Sequence, residues 1–291
     1  MQLRRHASVD DFLAVAGAYL AEREAEHNLI LGVASMLRTT PEAFTGGDPS
    51  FATVVGADGR LQLAALRTPP FNLVLSEVLD PAAIDILAAG LRDDPLPGAI
   101  GPKPVAARFA ARWQEATAAS ATVVMEERIF AIERVLPPER PAPGRWRIAR
   151  PGDREFVARW LSAFVAETAV PDQPPIVDPL VTADRWIAGR GRLLYLWEER
   201  KRPVSLVGAS GETPRGIRIG PVYTPPDARG HGYATSLTAA ATQDQLDRGR
   251  QFAFLFTDLA NPTSNHIYQS IGYRPVTDVD MYAFRAATIP A

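Results

Sequence analysis

The sequence predicts a two-domain α/β (α+β) protein whose second half repeats the element order of the first. Three observations predict it. The chain has 291 residues, above the usual size of one domain. A proline-rich stretch, Leu136-Pro-Pro-Glu-Arg-Pro-Ala-Pro-Gly144, divides it almost in half. Short apolar runs and helical patterns then alternate in a similar order on either side.

Hydrophobic residues make up 46% and charged residues 22%, as in ordinary globular proteins that bury a core unaided. A net charge of −2 argues against a broad nucleic-acid surface. With no cysteine, disulfides, thiolate nucleophiles and thiolate metal sites are excluded, which fits a cytoplasmic protein. The four histidines show no metal-ligand spacing, so no metal is expected. No signal peptide is visible ahead of an expected polar helix start, and no run is apolar enough to span a bilayer.

Before the prolines the pattern predicts a helix over 9–26, strands over 51–55, 61–66 and 71–75, and a helix over 81–91. A strand over 99–101, a helix over 105–118 and a strand over 122–135 follow. After them it predicts a helix over 153–167, strands over 193–197, 204–209 and 217–223, and a helix over 233–248. A strand over 252–256, a helix over 262–270 and a strand over 280–284 complete the chain. Alternating Phe252, Phe254 and Phe256 put one aromatic face on their strand. Asn261 and Pro262 form an N-cap with proline at the first helical position. Gly249 and Gly272 sit where left-handed residues end helices. The halves open alike, with Leu3-Arg-Arg-His-Ala-Ser-Val-Asp10 against Trp146-Arg-Ile-Ala-Arg-Pro-Gly-Asp153, each acid suited to cap its helix. The expected domains are therefore 1–136 and 145–291, joined by a linker over 137–144.

The stretch 219–235 carries the strongest functional signal. An apolar strand runs into Pro225-Pro226, then Arg229-Gly230-His231-Gly232, then a helix opening at Tyr233. Free N–H groups at a helix start, with glycines admitting a ligand to the main chain, suit a phosphorylated anion.

These residues, with Asn261 after the next strand and Tyr268-Gln-Ser-Ile-Gly-Tyr273, resemble the GCN5-related N-acetyltransferase (GNAT) family. That family places Arg/Gln-x-x-Gly-x-Gly/Ala at a helix start. Its first basic position would fall on Asp227 here and is lost, so the Arg-Gly-x-Gly core aligns to Arg229, Gly230 and Gly232, and Asn261, Tyr268, Gly272 and Tyr273 occupy the remaining motif positions. The resemblance implies two tandem GNAT-like domains, each a mixed, mostly antiparallel sheet flanked by helices, splayed between its fourth and fifth strands. It implies acetyl-CoA as co-substrate. The pyrophosphate would rest on the amides of Gly230, His231, Gly232, Tyr233, Ala234 and Thr235, near Arg229 and Asn261. The pantetheine would pair with Val222, Tyr223 and Thr224 like an added strand. Tyr268 would be the acid that protonates the leaving thiolate, although a helical tyrosine is ordinarily a core residue.

An N–H of Val222 or Tyr223 would stabilise the oxyanion. Pro221 in that strand marks either a bulge or an edge. The family often places a Glu on this strand, and none stands here. Asp258, Glu167 and a water chain all remain open as the base. His231 and His266 read as surface residues, and Trp146, Trp160, Trp186 and Trp197 as core. The loop 167–180, with Glu167, Asp172 and Asp178, would attract a cationic amine or is simply solvated.

In the first half the corresponding corner, Ser76 to Asp80, has no glycine and two acids, so that half is expected to bind no coenzyme A. It is left to shape an acceptor pocket or the contact of a homodimer. The implied function is direct acetyl transfer to a primary amine of a small molecule or peptide, with neither nucleic acid nor membrane as partner. A non-catalytic acyl-CoA sensor is the alternative. A kinase-like reading fails for lack of a Gly-x-x-x-x-Gly-Lys-Ser/Thr string.

Overall fold

The structure, a computed structural model, describes residues 1–168 and 178–286. Its elements fall into two runs of identical order. The first run is β1 (Gln2–His6), α1 (Val9–Glu22), α2 (Asn28–Thr39), β2 (Ser50–Val55), β3 (Leu61–Arg67), β4 (Leu73–Leu75), α3 (Ala82–Leu91), β5 (Gly98–Pro102), α4 (Lys103–Thr117) and β6 (Ser120–Ile132). The second is β7 (Arg145–Ile148), α5 (Arg154–Glu167), α6 (Pro179–Ala188), β8 (Arg192–Glu199), β9 (Arg202–Ser210), β10 (Gly216–Tyr223), α7 (Tyr233–Asp247), β11 (Phe252–Asp258), α8 (Pro262–Ser270) and β12 (Arg274–Arg285). The internal duplication read from the sequence is thus present element by element.

Packing divides the chain into two compact units, Met1–Arg128 with Thr277–Ala291, and Ile129–Val276. The expected sequence boundary at 137–144 lies inside the second unit. β12 returns to the first unit, where Val279 to Ala283 pair antiparallel with Pro102 to Gly98 of β5. In the first unit the strands run β1-β2-β3-β4-β5-β12. In the second they run β11-β10-β9-β8-β7, with only the last residues of β6, from Ile129 on, in the same unit. Among the pairs of defined register each unit contains one parallel pair, β4 with β5 and β10 with β11. The other pairs of defined register are antiparallel.

The first unit buries Val54, Leu63, Leu87 and Phe109 between its sheet and α3 and α4, and Phe12, Leu20, Ile30 and Leu66 beneath α1 and α2. The second buries Phe130, Tyr195, Val207, Leu237 and Ile271 on one face and Val157, Leu161, Leu194 and Leu206 on the other. Sheets covered on both faces explain the apolar runs in β3, β9 and β11 that break strict alternation.

Several expectations need correction. The chain begins with strand β1, not a helix, and α2 and α6 fall in stretches to which the sequence pattern assigns no element. α1 stops at Glu22, short of the expected 26. Ser8, not Asp10, caps α1, its Oγ accepting from Asp11 N–H at 3.1 Å. Asp153 accepts instead from Arg150 N–H at 2.7 Å and pairs with Arg147 at 2.5 Å. Trp186 and Trp197 are core residues and Trp160 is partly buried, but Trp146 stays 38% exposed on the short strand β7. Among the described residues no helix is long and apolar enough to cross a membrane.

Candidate active site

β10 and β11 run in parallel register only from Gly216 to Arg218 against Phe252 to Phe254. β10 continues to Tyr223 and β11 to Asp258, so the two strands part over their last residues. This is the splay that the resemblance implied. On its other side β10 keeps its pairing with β9, but the register shifts between Ile219 and Val222. The irregularity is the bulge reading of Pro221. Gly208 on β9 permits it, because a Cβ there would stand 2.6 Å from Gly220 O and 2.9 Å from Pro221 Cδ.

After β10 the chain turns through Pro225 to Ala228 and enters α7 at Gly232, whose φ of 78° marks a left-handed cap. Gly230 is also left-handed, with φ of 80°. Such backbone favours glycine, and it turns the following amides outward. Among the described residues, no N–H from Gly230 to Thr235 has a hydrogen-bond acceptor; the helix ladder starts with Ser236 N–H donating to Gly232 O at 3.0 Å. Six consecutive donors at a helix N-terminus are what an anion needs.

The side chains around this corner point elsewhere. Arg229 reaches back to α5, with Nη2 2.6 Å from Glu167, and its Nε donates to Thr224 O at 2.9 Å. Its guanidinium also lies 6.0 Å from the Tyr223 ring centroid. Ser205 Oγ donates to Tyr223 O at 3.1 Å and is 2.9 Å from Thr224 Oγ1. Two carbonyls expected to pair with pantetheine therefore already accept a side-chain hydrogen bond. Exposed His231 stacks on Tyr233 at 5.5 Å, and Tyr233 is buried with its hydroxyl on Glu199.

Tyr268 lies in the core of the second unit, 7% exposed and edge-on to Tyr273 at 6.1 Å. Burial pushes its phenol up to about 12, only partly offset by a hydrogen bond with Ser264. The group is thus held neutral and keeps its proton. Asn261 caps α8, its Oδ1 accepting from Ser264 N–H at 3.1 Å. Asp258 closes a turn by accepting from Ala260 N–H at 2.8 Å. Of the three base options, Asp258 is engaged in this turn and Glu167 in its ion pair. His266 is exposed on α8. Asp178 caps α6, accepting from Leu180 N–H at 2.8 Å. Asp172 lies outside the described residues.

Sequence reasoning missed one neighbour of this corner. The proline-rich segment crosses the start of α7: buried Ala142 donates its N–H to Ser236 Oγ at 2.9 Å, and Trp197 Nε1 donates to Pro143 O at 2.9 Å. A Cβ on Gly232 would stand 3.7 Å from Arg140 O. No local signal encodes these contacts, because each partner is at least 54 residues away.

The corresponding corner of the first unit is built differently. Ser76 N–H donates to Ala64 O at 2.9 Å, Glu77 N–H to His27 Nε2 at 3.1 Å, and Leu79 N–H to Gln62 O at 3.0 Å. Ala82 and Ala83 N–H go to Asp80. No comparable row of free donors remains.

Comparisons with known proteins bear on the fold. The family described as FR47-like protein matches residues 199–282. A Drosophila protein of solved structure superposes with a TM-score of 0.67 at 14% identity, over 97% of this chain and 98% of its own. A tandem GNAT protein from the clavulanic acid biosynthesis pathway does so at 0.58 and 14% identity, over the full length of both. A GCN5-related N-acetyltransferase from Sphaerobacter thermophilus follows at 0.57 and 16%, over 99% and 98%. No curated protein matches the chain in sequence. The protein thus has the GNAT fold in tandem, with an FR47-like segment over residues 199–282.

Proposed function

We propose that the second unit is an acetyl-CoA-dependent N-acetyltransferase acting on a primary amine. One observation carries the reading: the row of unpaired amides from Gly230 to Thr235, set beside a parallel strand pair that opens. The amides accept the diphosphate. The thioester then lies in the opening along β10, whose β11-facing edge beyond Arg218 has no ladder partner among the described residues.

The amine nitrogen attacks the thioester carbon, and an N–H of Val222 or Tyr223 receives the oxyanion. Collapse breaks the C–S bond, and the Tyr268 phenol, kept neutral by burial, hydrogen-bonds the departing thiolate. The amine's surplus proton passes to water, Asp258 or Glu167. Direct transfer suits a chain without cysteine.

The sensor reading is favoured by the placement of Tyr268 in the core and the absence of a carboxylate on β10. Calorimetry with acetyl-CoA, followed by thiol release over a panel of primary amines, tests both. One site per chain with turnover is expected. No heat would overturn coenzyme binding, and binding with no turnover on any amine would leave the sensor.

A further inference from the structure

The proline-rich segment is more than a connector. It holds four prolines, Pro137, Pro138, Pro141 and Pro143, whose fixed φ leaves the segment few alternative paths. It is fastened at three points within the second unit. Leu136 N–H donates to Ile271 O at 2.9 Å, Ala142 N–H to Ser236 Oγ at 2.9 Å, and Pro143 O accepts from Trp197 at 2.9 Å. Ser236 is itself in the first turn of α7, the helix whose N-terminus presents the free amides.

Arg140 lies between these fastenings. Its carbonyl oxygen would be 3.7 Å from a Cβ on Gly232, so its backbone passes beside the anion corner. Its side chain is exposed and has no ion-pair or hydrogen-bond partner among the described residues. Arg229, by contrast, is engaged by Glu167 and Thr224. The arginine next to the motif glycines is thus turned away, while the backbone of one from a distant stretch passes beside Gly232. Neighbouring Glu139 is exposed and makes no ion pair with Arg140.

We propose that Arg140 is a phosphate-binding residue of the coenzyme site, with its guanidinium paired to the diphosphate that rests on the α7 amides. The inference rests on the coenzyme A reading above and extends it to a residue outside the motif. An arginine fork matches phosphate oxygens bidentately. Its placement by a proline-stiffened, three-point tether lowers the ordering cost of binding. The consequence is that the segment between the repeats forms part of the ligand site.

Calorimetry on the full chain tests this with coenzyme A and 3′-dephospho-coenzyme A. Arg140→Gln should weaken both about tenfold, the scale of one charged hydrogen bond. Arg140→Lys should recover most of the affinity, and Arg145→Gln, an exposed arginine five residues on, should bind like the parent. The unfolding temperature of Arg140→Gln should not move. Equal affinity of Arg140→Gln and parent would overturn the proposal while leaving the coenzyme reading intact. A loss confined to coenzyme A would overturn the diphosphate assignment. No binding by the parent would overturn the coenzyme reading and this inference with it.

Discussion

The two strand-to-helix corners, one per repeat, occupy the same place in the same element order and differ in where their N–H groups go. From Gly230 to Thr235 the donors are unpaired among the described residues; from Ser76 to Ala83, Ala64, His27, Gln62 and Asp80 take five of them. Glycine makes much of the difference. Gly230 and Gly232 adopt positive φ and turn the chain away from the sheet. Ser76 keeps its pairing to β3, and the Glu77 N–H goes to a buried histidine instead. A repeated fold can therefore feed the donors of one such corner into its own network and leave those of the other open.

The comparison can be broken or sharpened in four ways. The largest effect is expected at Tyr268. Tyr268→Phe should lower kcat by about 10²-fold, the lower end for losing one hydrogen-bond donor to charge that develops in the transition state, with little change in acetyl-CoA affinity. Full activity would remove the phenol from the mechanism.

Next comes Gly232→Val, which forces a branched side chain into a φ of 78° and toward Arg140 O. Left-handed strain of about 1–2 kcal/mol should swing the amides out of line and raise KM for acetyl-CoA at least tenfold. An unchanged KM would show that the corner is not where the coenzyme binds.

The third concerns His27 in the first unit. Its Nδ1 donates to Leu20 O at 3.1 Å while Nε2 accepts from Glu77 N–H, so the ring must be neutral. Burial holds its pKa below the usual imidazole value, against the opposing pull of the Leu20 carbonyl and Glu26. In the unfolded chain the ring titrates near ~6.5, so below that pH the unfolded state takes up the proton first. Stability is then full above pH ~6.5 and falls as pH drops below it. His27→Gln should flatten that fall in unfolding temperature between pH 7.5 and 5. It should also cost ~1–3 kcal/mol at neutral pH, the range for leaving a buried donor poorly met.

The smallest effect is expected at Glu167→Gln. The pair with Arg229 is nearly half exposed on both sides, so its loss should change stability by less than ~1 kcal/mol. Unaltered turnover in that variant would also exclude Glu167 as the base.

Much of this molecule was legible in its sequence. Period-two and period-3.6 patterns located β2, β3, β10, β11, α3, α7 and α8 to within a few residues, because each packs an apolar face on a sheet. The glycine corner and the split of β10 from β11 were legible too, through a motif whose residues are local. β1, β7, α2 and α6 were missed. Gln2–His6 and Arg145–Ile148 are short, arginine-rich and mostly exposed, with little apolar periodicity to detect. The tether from Leu136 to Gly144 was read as a spacer, since its fastening to Ile271, Ser236 and Trp197 is set by tertiary contacts. Tyr268 was located on the right helix, but its depth in the core depends on Tyr273 and Ile271, which spacing alone does not fix.

The return of β12 to the first unit has a consequence for synthesis. Val279 to Ala283 complete the sheet beside β5, yet they belong to the end of the second repeat and follow β5 by the length of that repeat. The edge of β5 in the amino-terminal repeat therefore stays bare until the second repeat has been made. Cleavage between the repeats would likewise leave that edge without its covering strand, so the protein cannot be halved into two self-sufficient pieces at the prolines.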